Sequence, residues 1–129
     1  MTQLLLVFSN PVDGQEDEYN EWYTRHHLAE ILAIEGFVRA QRFELVPASM
    51  TRDTPSAPYR YLALYEVQEG SVERADSALF ALARTERAEA LAAGRTPKLV
   101  MSPSMDSDLR TWWFRSVSDV VEKAAGTSS

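Results

Sequence analysis

The chain has 129 residues and contains no cysteine. Its length suits one domain with a sizeable core, and the lack of cysteine excludes disulfides, a thiolate nucleophile and cysteine-ligated zinc or iron–sulfur sites. The formal net charge of -6, with Lys98 and Lys123 as the only lysines, argues against nucleic-acid binding, which needs clustered basic side chains.

The first predicted element is a buried strand over Leu4 to Ser9, an apolar run that ends in a turn at Asn10 and Pro11. This run is much shorter than a membrane-spanning helix, and no basic segment precedes it. We therefore expect a cytoplasmic protein that does not associate with membranes.

A long helix is predicted next, from about Gly14 to about Ile34. Asp13 and Glu16 have the spacing of a capping box, and further acidic residues follow where a helix N-terminus favours negative charge. Gly36 is predicted to end the helix.

Two strands are predicted over Phe37 to Val46 and over Tyr59 to Val67, where the residue types alternate. On strict alternation, Phe37 and Gln41 lie on the same face of the first of these strands. The segment between the strands, Pro47 to Pro58, is rich in proline, serine and threonine. It is predicted to be an irregular loop, either a lid or a surface excursion.

A second helix is predicted from the N-cap Ser71 to Gly94, with a break near Thr85. After another irregular segment, Leu109 to Val117 is predicted to be the last strand.

The predicted domain covers residues 1–118. Residues 119–129 are predicted to be a C-terminal tail whose end, Gly126 to Ser129, frays.

The predicted order β-α-β-β-α-β is typical of a ferredoxin-like α+β sandwich, in which two helices cover one face of a four-stranded antiparallel sheet. The strands carry apolar residues on both faces, as Leu4 and Leu6 against Leu5 and Val7 show. One face of the sheet would therefore lie bare in a monomer. We expect a second identical chain to cover it, giving a homodimeric α/β barrel; the alternative is a monomer with scattered surface aromatics.

Part of this sequence resembles a known family. Tyr19, Trp22, Tyr23 and His27 fit the aromatic-x-x-aromatic-aromatic-x-x-x-His pattern of the first helix in EthD-like members of the dimeric α/β barrel superfamily. The segment from Leu32 to Phe37 is similar to the leucine-x-x-proline-glycine segment that follows in that family.

Two positions depart from the family pattern, because Ala29 and Glu35 stand where the family commonly has proline. The resemblance implies a small homodimer. Such proteins are reported as polyketide cyclases, decarboxylases, dehydratases, cofactor-free oxygenases and haem-degrading enzymes.

The predicted first helix has one inward stripe, because residues three and four apart share a face. It consists of Tyr19, Tyr23, His27, Ile31 and Ile34. His27 also matches the family's histidine, so we predict that it is the catalytic general acid or base, with Tyr23 orienting or polarising the substrate. The alternative is a core histidine bonded to a backbone carbonyl or a tyrosine.

An adjacent stripe of the same helix contains Trp22, His26 and Glu30. His26 lies one turn before Glu30, which favours an ordinary helical pair between the two. Tyr19, Trp22 and His26 are also predicted to contact the substrate, as walls of a pocket.

The predicted strands add Gln41, Tyr61 and Tyr65 as substrate-binding candidates. Aromatic rings with a few polar groups suit a small aromatic or polyketide-like molecule. Tyrosines are equally usual in strands and in subunit interfaces, where they need no ligand.

The two histidines offer no evident metal site. His26 and His27 are adjacent and point about 100° apart on a helix, so they do not easily chelate one ion. We expect no metal and no other cofactor. One axial histidine suffices for haem, and nothing in the sequence supports haem positively.

The leading hypothesis is a homodimeric, cofactor-independent enzyme of the lyase or cyclase type. It would act by acid/base chemistry on a small carbonyl-bearing molecule that is aromatic or derived from a polyketide. The alternatives are a cofactor-free oxygenase of a phenolic substrate and a non-catalytic dimer that binds a small molecule.

Overall fold

The computed structural model describes residues 1–48 and 51–125. Ser49 and Met50 of the predicted loop, and Gly126 to Ser129 of the predicted tail, lie outside the described residues. Four strands form one antiparallel sheet in the order β2-β3-β1-β4. The strands are β1 (Gln3–Ser9), β2 (Phe37–Glu44), β3 (Tyr61–Val67) and β4 (Arg110–Arg115).

Two helices connect the strands, and each contains a π-helical segment between two α-helical ones. The first helix consists of α1 (Glu16–Trp22), a π-helical segment (Tyr23–His27) and α2 (Leu28–Leu32). The second consists of α3 (Val72–Phe80), a π-helical segment (Ala81–Glu86) and α4 (Arg87–Ala92). The predicted ferredoxin-like α+β fold is confirmed. No helix within the described ranges is long and apolar enough to cross a membrane.

The start of the first helix differs from the prediction. The helix begins at Glu16, and its N-cap is Gln15, which makes no side-chain capping hydrogen bond. Gly14 has a φ of 81° and turns the chain before the helix, so Asp13 lies outside it. The predicted capping box is wrong, although the acidic first turn is present.

A glycine with a positive φ follows each of the two helices. Gly36 has a φ of 92°, and a Cβ atom at this position would lie 3.2 Å from the Cβ of Ala75 and 3.3 Å from that of Ser71. The first helix ends at Leu32 with Ala33 as its C-cap, so the prediction that Gly36 ends it is wrong. Gly36 lies three residues beyond that C-cap and allows the second helix to approach closely. The break predicted near Thr85 corresponds to the second π-helical segment.

The inner face of the sheet packs against the helices. Leu5 and Ser9 of β1 are buried there, and so are alternate residues of β3. Those β3 residues are Tyr61, Ala63, Tyr65 and Val67.

The outer face of the sheet is apolar and uncovered. Leu6 lies between Leu64 of β3 and Trp112 of β4 on this face, by the register of the strands. Trp112 and Phe114 are 50% and 55% exposed. The structure therefore shows the bare apolar face that the strand patterns predict.

A register shift in β2 between Phe37 and Arg39 changes which residues face the helices. Phe37 pairs with Val67 and is buried on the inner face, whereas Gln41 pairs with Leu64, an outer-face residue. The expectation that Phe37 and Gln41 share a face is wrong. The shift turns Arg42 inward instead.

Candidate functional site

The first helix presents Tyr19, Tyr23, His27 and Ile31 to the sheet, and all four are buried. The predicted inward stripe is confirmed for these four residues, whereas Ile34 lies beyond the end of the helix and is only partly buried. The Tyr19 hydroxyl shares a 2.6 Å hydrogen bond with the Ser9 hydroxyl of β1. The rings of Tyr19 and Tyr23 meet edge to face, with 5.6 Å between their centres.

His27 is packed among rings and lines neither of the pockets described below. The Trp22 ring stacks on the imidazole at 4.5 Å, and the Tyr23 ring meets it edge to face at 4.9 Å. Burial, with a smaller contribution from Arg42, lowers the pKa of His27 to about 4. The imidazole is therefore uncharged at neutral pH.

The predicted pair of His26 and Glu30 is wrong. The Glu30 carboxylate turns toward His27, with 3.7 Å between its Oε1 and the Nδ1 of His27. This distance exceeds a hydrogen bond, and the buried Nδ1 has no partner. His26 is exposed on the helix surface.

Arg42 of β2 is the charged group at the centre of the tyrosine rings, which we call the ring cluster. The sequence pattern did not indicate this residue. Its guanidinium carbon lies 4.5 Å from the ring centre of Tyr23, 5.1 Å from that of Tyr19 and 5.3 Å from that of Tyr61. Rings at these distances stabilise a cation through their negative faces. The strand partner of Arg42 is Ala63, whose small side chain leaves room for the guanidinium.

Two residues of α1 and the π-helical segment hold the guanidinium in place. Arg42 Nη1 donates a 2.9 Å hydrogen bond to the Thr24 hydroxyl, and Nη2 donates a 2.9 Å hydrogen bond to Asn20 Oδ1. Nη1 also contacts the Asn20 carbonyl oxygen at 3.5 Å, and Nε is buried without a hydrogen-bond partner, so one N–H of Nη2 is left of the five N–H donors.

A chain of hydrogen bonds continues from Asn20 to the surface. Asn20 Nδ2 donates to the Tyr61 hydroxyl at 3.2 Å, and that hydroxyl donates to the Glu16 carboxylate. Arg60 forms an ion pair with Glu16 and holds the pKa of that carboxyl below its usual value, together with Tyr61. Since the single proton of Tyr61 is committed to Glu16, Tyr61 can only accept a hydrogen bond from a ligand.

Two further tyrosines stay protonated at neutral pH. Burial raises the pKa of Tyr23 to about 12 and raises the pKa of Tyr65 further. The Tyr65 hydroxyl lies near that of Tyr23 but is buried without a hydrogen-bond partner. Neither phenol is therefore a base at neutral pH.

Two concave pockets flank the ring cluster. The first, which we call the Arg42 pocket, has a volume of about 330 Å³ and is lined by Asn20, Thr24, Arg42, Phe43, Glu44 and Tyr61. The second, the Trp22 pocket, has a volume of about 490 Å³ and is lined by Trp22, Arg25, His26, Ala29, Glu30 and Val100. The two pockets share no lining residue.

The substrate-binding residues predicted from the sequence thus fall in different places. Tyr61 lines the Arg42 pocket, whereas Trp22 and His26 line the Trp22 pocket. Tyr19 and Tyr65 lie in the core behind them. Gln41 is exposed on the outer face of the sheet and lines neither pocket.

The Arg42 pocket carries opposite charges on one strand. Arg42 and Glu44 are two residues apart on β2, so their side chains share a face, with Cα atoms about 7 Å apart. Both line the pocket, together with the rings of Phe43 and Tyr61.

Across the described part of the chain, no cluster of three or more histidine or acidic side chains could hold a metal ion.

Comparison with protein-family models gave no match, and comparison with curated proteins gave none. Among solved structures, an ethyl tert-butyl ether D (EthD) family protein from Bacillus halodurans C-125 is 17% identical. It has a TM-score of 0.50 over 90% of this chain and 98% of that chain. The chain therefore has the fold of an EthD family protein, and the predicted resemblance is confirmed at the level of the fold.

Two further solved structures match over most of their length. HapK from Hahella chejuensis is 14% identical, with a TM-score of 0.49 over 95% of this chain and 100% of that chain. A monooxygenase from the gene ActVA-Orf6 of Streptomyces coelicolor, in complex with nanaomycin D, is 20% identical. Its TM-score is 0.44 over 95% of this chain and 92% of that chain.

Proposed function

We propose that the protein is a cofactor-independent enzyme of the lyase or cyclase type. It binds a small aromatic molecule bearing a carbonyl group in the Arg42 pocket and converts it to an enolate. The observation that carries the proposal is the Arg42 guanidinium, which rings and hydrogen bonds hold rigidly at a pocket that also contains a carboxylate.

Arg42 stabilises the negative charge that develops on the carbonyl oxygen. A cation held in place before the reaction costs no reorganisation when the charge forms, and a partly water-excluded site strengthens its effect. Asn20 and Thr24 fix the position of the guanidinium, and one N–H of Nη2 is left to donate to an oxyanion.

Glu44 is the general base in this proposal. The C–H bond next to the carbonyl breaks, the proton moves to the Glu44 carboxylate, and the electron pair moves onto the carbonyl oxygen beside Arg42. Tyr61 and Tyr23 do not fit this role, since the first is bonded to Glu16 and the second has a raised pKa. His27 lines neither pocket; proton transfer by His27 is the alternative assignment.

An enolate is an intermediate common to several reaction types. Aldol-type ring closure begins from an enolate, elimination of water next to a carbonyl proceeds through one, and decarboxylation of a β-keto acid releases one. The proposal therefore covers a cyclase, a dehydratase and a decarboxylase. The same cation would also stabilise a phenolate, which a cofactor-free oxygenase requires.

The test uses acetophenone and its ortho-hydroxy derivative as probes. In deuterated buffer, the wild-type protein is expected to accelerate exchange of the methyl protons, followed by proton NMR. Arg42→Met and Glu44→Gln are expected to abolish the acceleration. Arg39→Met is the matched control, because Arg39 lies on the same strand but is exposed and faces away from the helices.

Two outcomes would overturn the proposal. Binding of both probes without accelerated exchange would favour the non-catalytic binding protein. Oxygen consumption in step with loss of the hydroxylated probe would favour the oxygenase.

We also propose that the protein is a homodimer in which the outer faces of two sheets meet. Trp112, Phe114 and Phe43 are exposed large apolar residues of the sheet, and burying them stabilises an assembly by about 25 cal/mol per Å² of apolar surface. A second copy supplies an identical apolar face, which suits two-fold symmetry.

A further inference from the structure

The Trp22 pocket is the larger of the two pockets, and the proposed reaction does not use it. It lies between the outward side chains of the first helix and Val100, which belongs to the segment between α4 and β4. Several of its residues come from the π-helical segment Tyr23–His27 or its ends. Such segments occur often at functional sites.

The pocket contains an aromatic platform. The Trp22 ring stacks on His27 with 23° between the ring planes, meets the Tyr23 ring edge to face, and also lines the pocket. Val100 is 51% exposed, and the small side chain of Ala29 leaves room for a ring. A flat molecule could therefore pack against Trp22 and Val100 together.

The pocket also contains an unused hydrogen-bond acceptor. No residue in the described ranges donates a hydrogen bond to the Glu30 carboxylate, whose side chain is 31% exposed. Its contact with the buried Nδ1 of His27 is too long for a hydrogen bond, and that nitrogen has no other partner. Arg25, which also lines the pocket, is paired with Glu21, with 3.9 Å between Nε and Oε1.

We propose that the Trp22 pocket is a second small-molecule site, which binds a neutral aromatic ring that carries an N–H donor. The ring packs against the part of Trp22 that lines the pocket, and its N–H donates to the Glu30 carboxylate beside His27. A neutral ring is favoured over an aromatic carboxylate, because the charge of Glu30 repels an anion. This proposal is independent of the function proposed for the Arg42 pocket.

Indole is the probe for this site, and benzoate is the anionic comparison. In two-dimensional amide NMR of the full chain, indole is expected to shift signals of Trp22, His26, Ala29 and Glu30. Val100→Arg, which places a long side chain at the pocket wall, is expected to weaken indole binding at least about tenfold. Glu30→Gln is expected to weaken it as well.

Leu91→Arg is the matched control, since Leu91 is an exposed apolar residue that lines neither pocket. This variant is expected to bind indole as the wild type does. The proposal is overturned if Val100→Arg leaves indole affinity unchanged, if the shifted signals lie elsewhere, or if benzoate binds there as tightly as indole.

Discussion

The guanidinium of Arg42 lies 4.5 Å from the centre of the Tyr23 ring, and this contact joins the sheet to the inward stripe of the first helix. It places a cation beside the residues that helical periodicity puts on the inward face of the helix. The same cation contributes to the lowered pKa of His27. The electrostatics of the cluster therefore depend on a strand residue and not on the helix alone.

Arg42→Lys is expected to reduce the free energy of unfolding by about 1–3 kcal/mol. A lysine keeps the charge but loses the planar stacking on tyrosine rings and the paired hydrogen bonds to Asn20 and Thr24. Chemical denaturation measures the difference. Arg39→Lys is the control and is expected to change stability by less than about 0.5 kcal/mol, because Arg39 is an exposed residue. Equal effects of the two variants would contradict the role given to Arg42.

Asn20→Asp is expected to weaken binding of a small aromatic anion, such as salicylate, in the Arg42 pocket. The carboxylate keeps the acceptor for Arg42 but neutralises its charge, and it removes the donor to the Tyr61 hydroxyl. Isothermal titration is expected to show a loss of about tenfold or more in affinity.

The control for this prediction is Asn10→Asp. Asn10 also makes two side-chain hydrogen bonds, one to the carbonyl of Pro58 and one from the backbone N–H of Arg60, but it does not line the pocket. Its variant is expected to leave salicylate affinity unchanged. A similar loss of affinity in both variants would indicate general loosening of the fold.

The inward stripe of the first helix could be predicted from the sequence, because helical periodicity alone places Tyr19, Tyr23 and His27 on one face. The position of Arg42 could not be predicted from the sequence. It depends on the register shift after Phe37, which alternation in a single strand does not reveal. The hydrogen-bond chain through Asn20 is likewise a tertiary arrangement, since it joins a helix to two strands.

His27 is expected to make stability depend on pH. Its pKa is about 4 in the folded chain against an ordinary value of 6.5, so the unfolded chain binds the proton more readily. Stability is therefore highest above pH 6.5 and falls as the pH decreases toward 4. Between pH 7 and pH 5 the free energy of unfolding is expected to fall by about 2 kcal/mol from this group.

Chemical denaturation of His27→Gln at the two pH values tests this prediction. The variant is expected to lose most of the pH dependence, whereas His26→Gln, which changes an exposed residue, is expected to keep it. An unchanged slope in His27→Gln would show that His27 is not held uncharged by burial. Turnover of an identified substrate in the same variant separates this structural role from proton transfer by His27.

Gly36→Ala is expected to destabilise the fold more than Gly94→Ala, by about 1 kcal/mol or more. Both glycines have a positive φ, 92° and 72° respectively. A Cβ at Gly36 would approach the Cβ atoms of Ala75 and Ser71, whereas a Cβ at Gly94 would meet nothing within 4 Å. Thermal or chemical unfolding measures both variants. Equal losses of unfolding free energy would mean that the backbone angle of the glycine matters and that its close approach to Ala75 and Ser71 does not.

Trp112→Lys is expected to convert the proposed homodimer into a monomer. Trp112 lies on β4 in the apolar outer face of the sheet, and a charge there opposes burial against a second copy. Light scattering coupled to size-exclusion chromatography measures the mass. Val117→Lys is the control, because Val117 lies beyond the end of β4. A monomeric wild-type protein would contradict the dimer, and a dimer that survives Trp112→Lys would place the interface elsewhere.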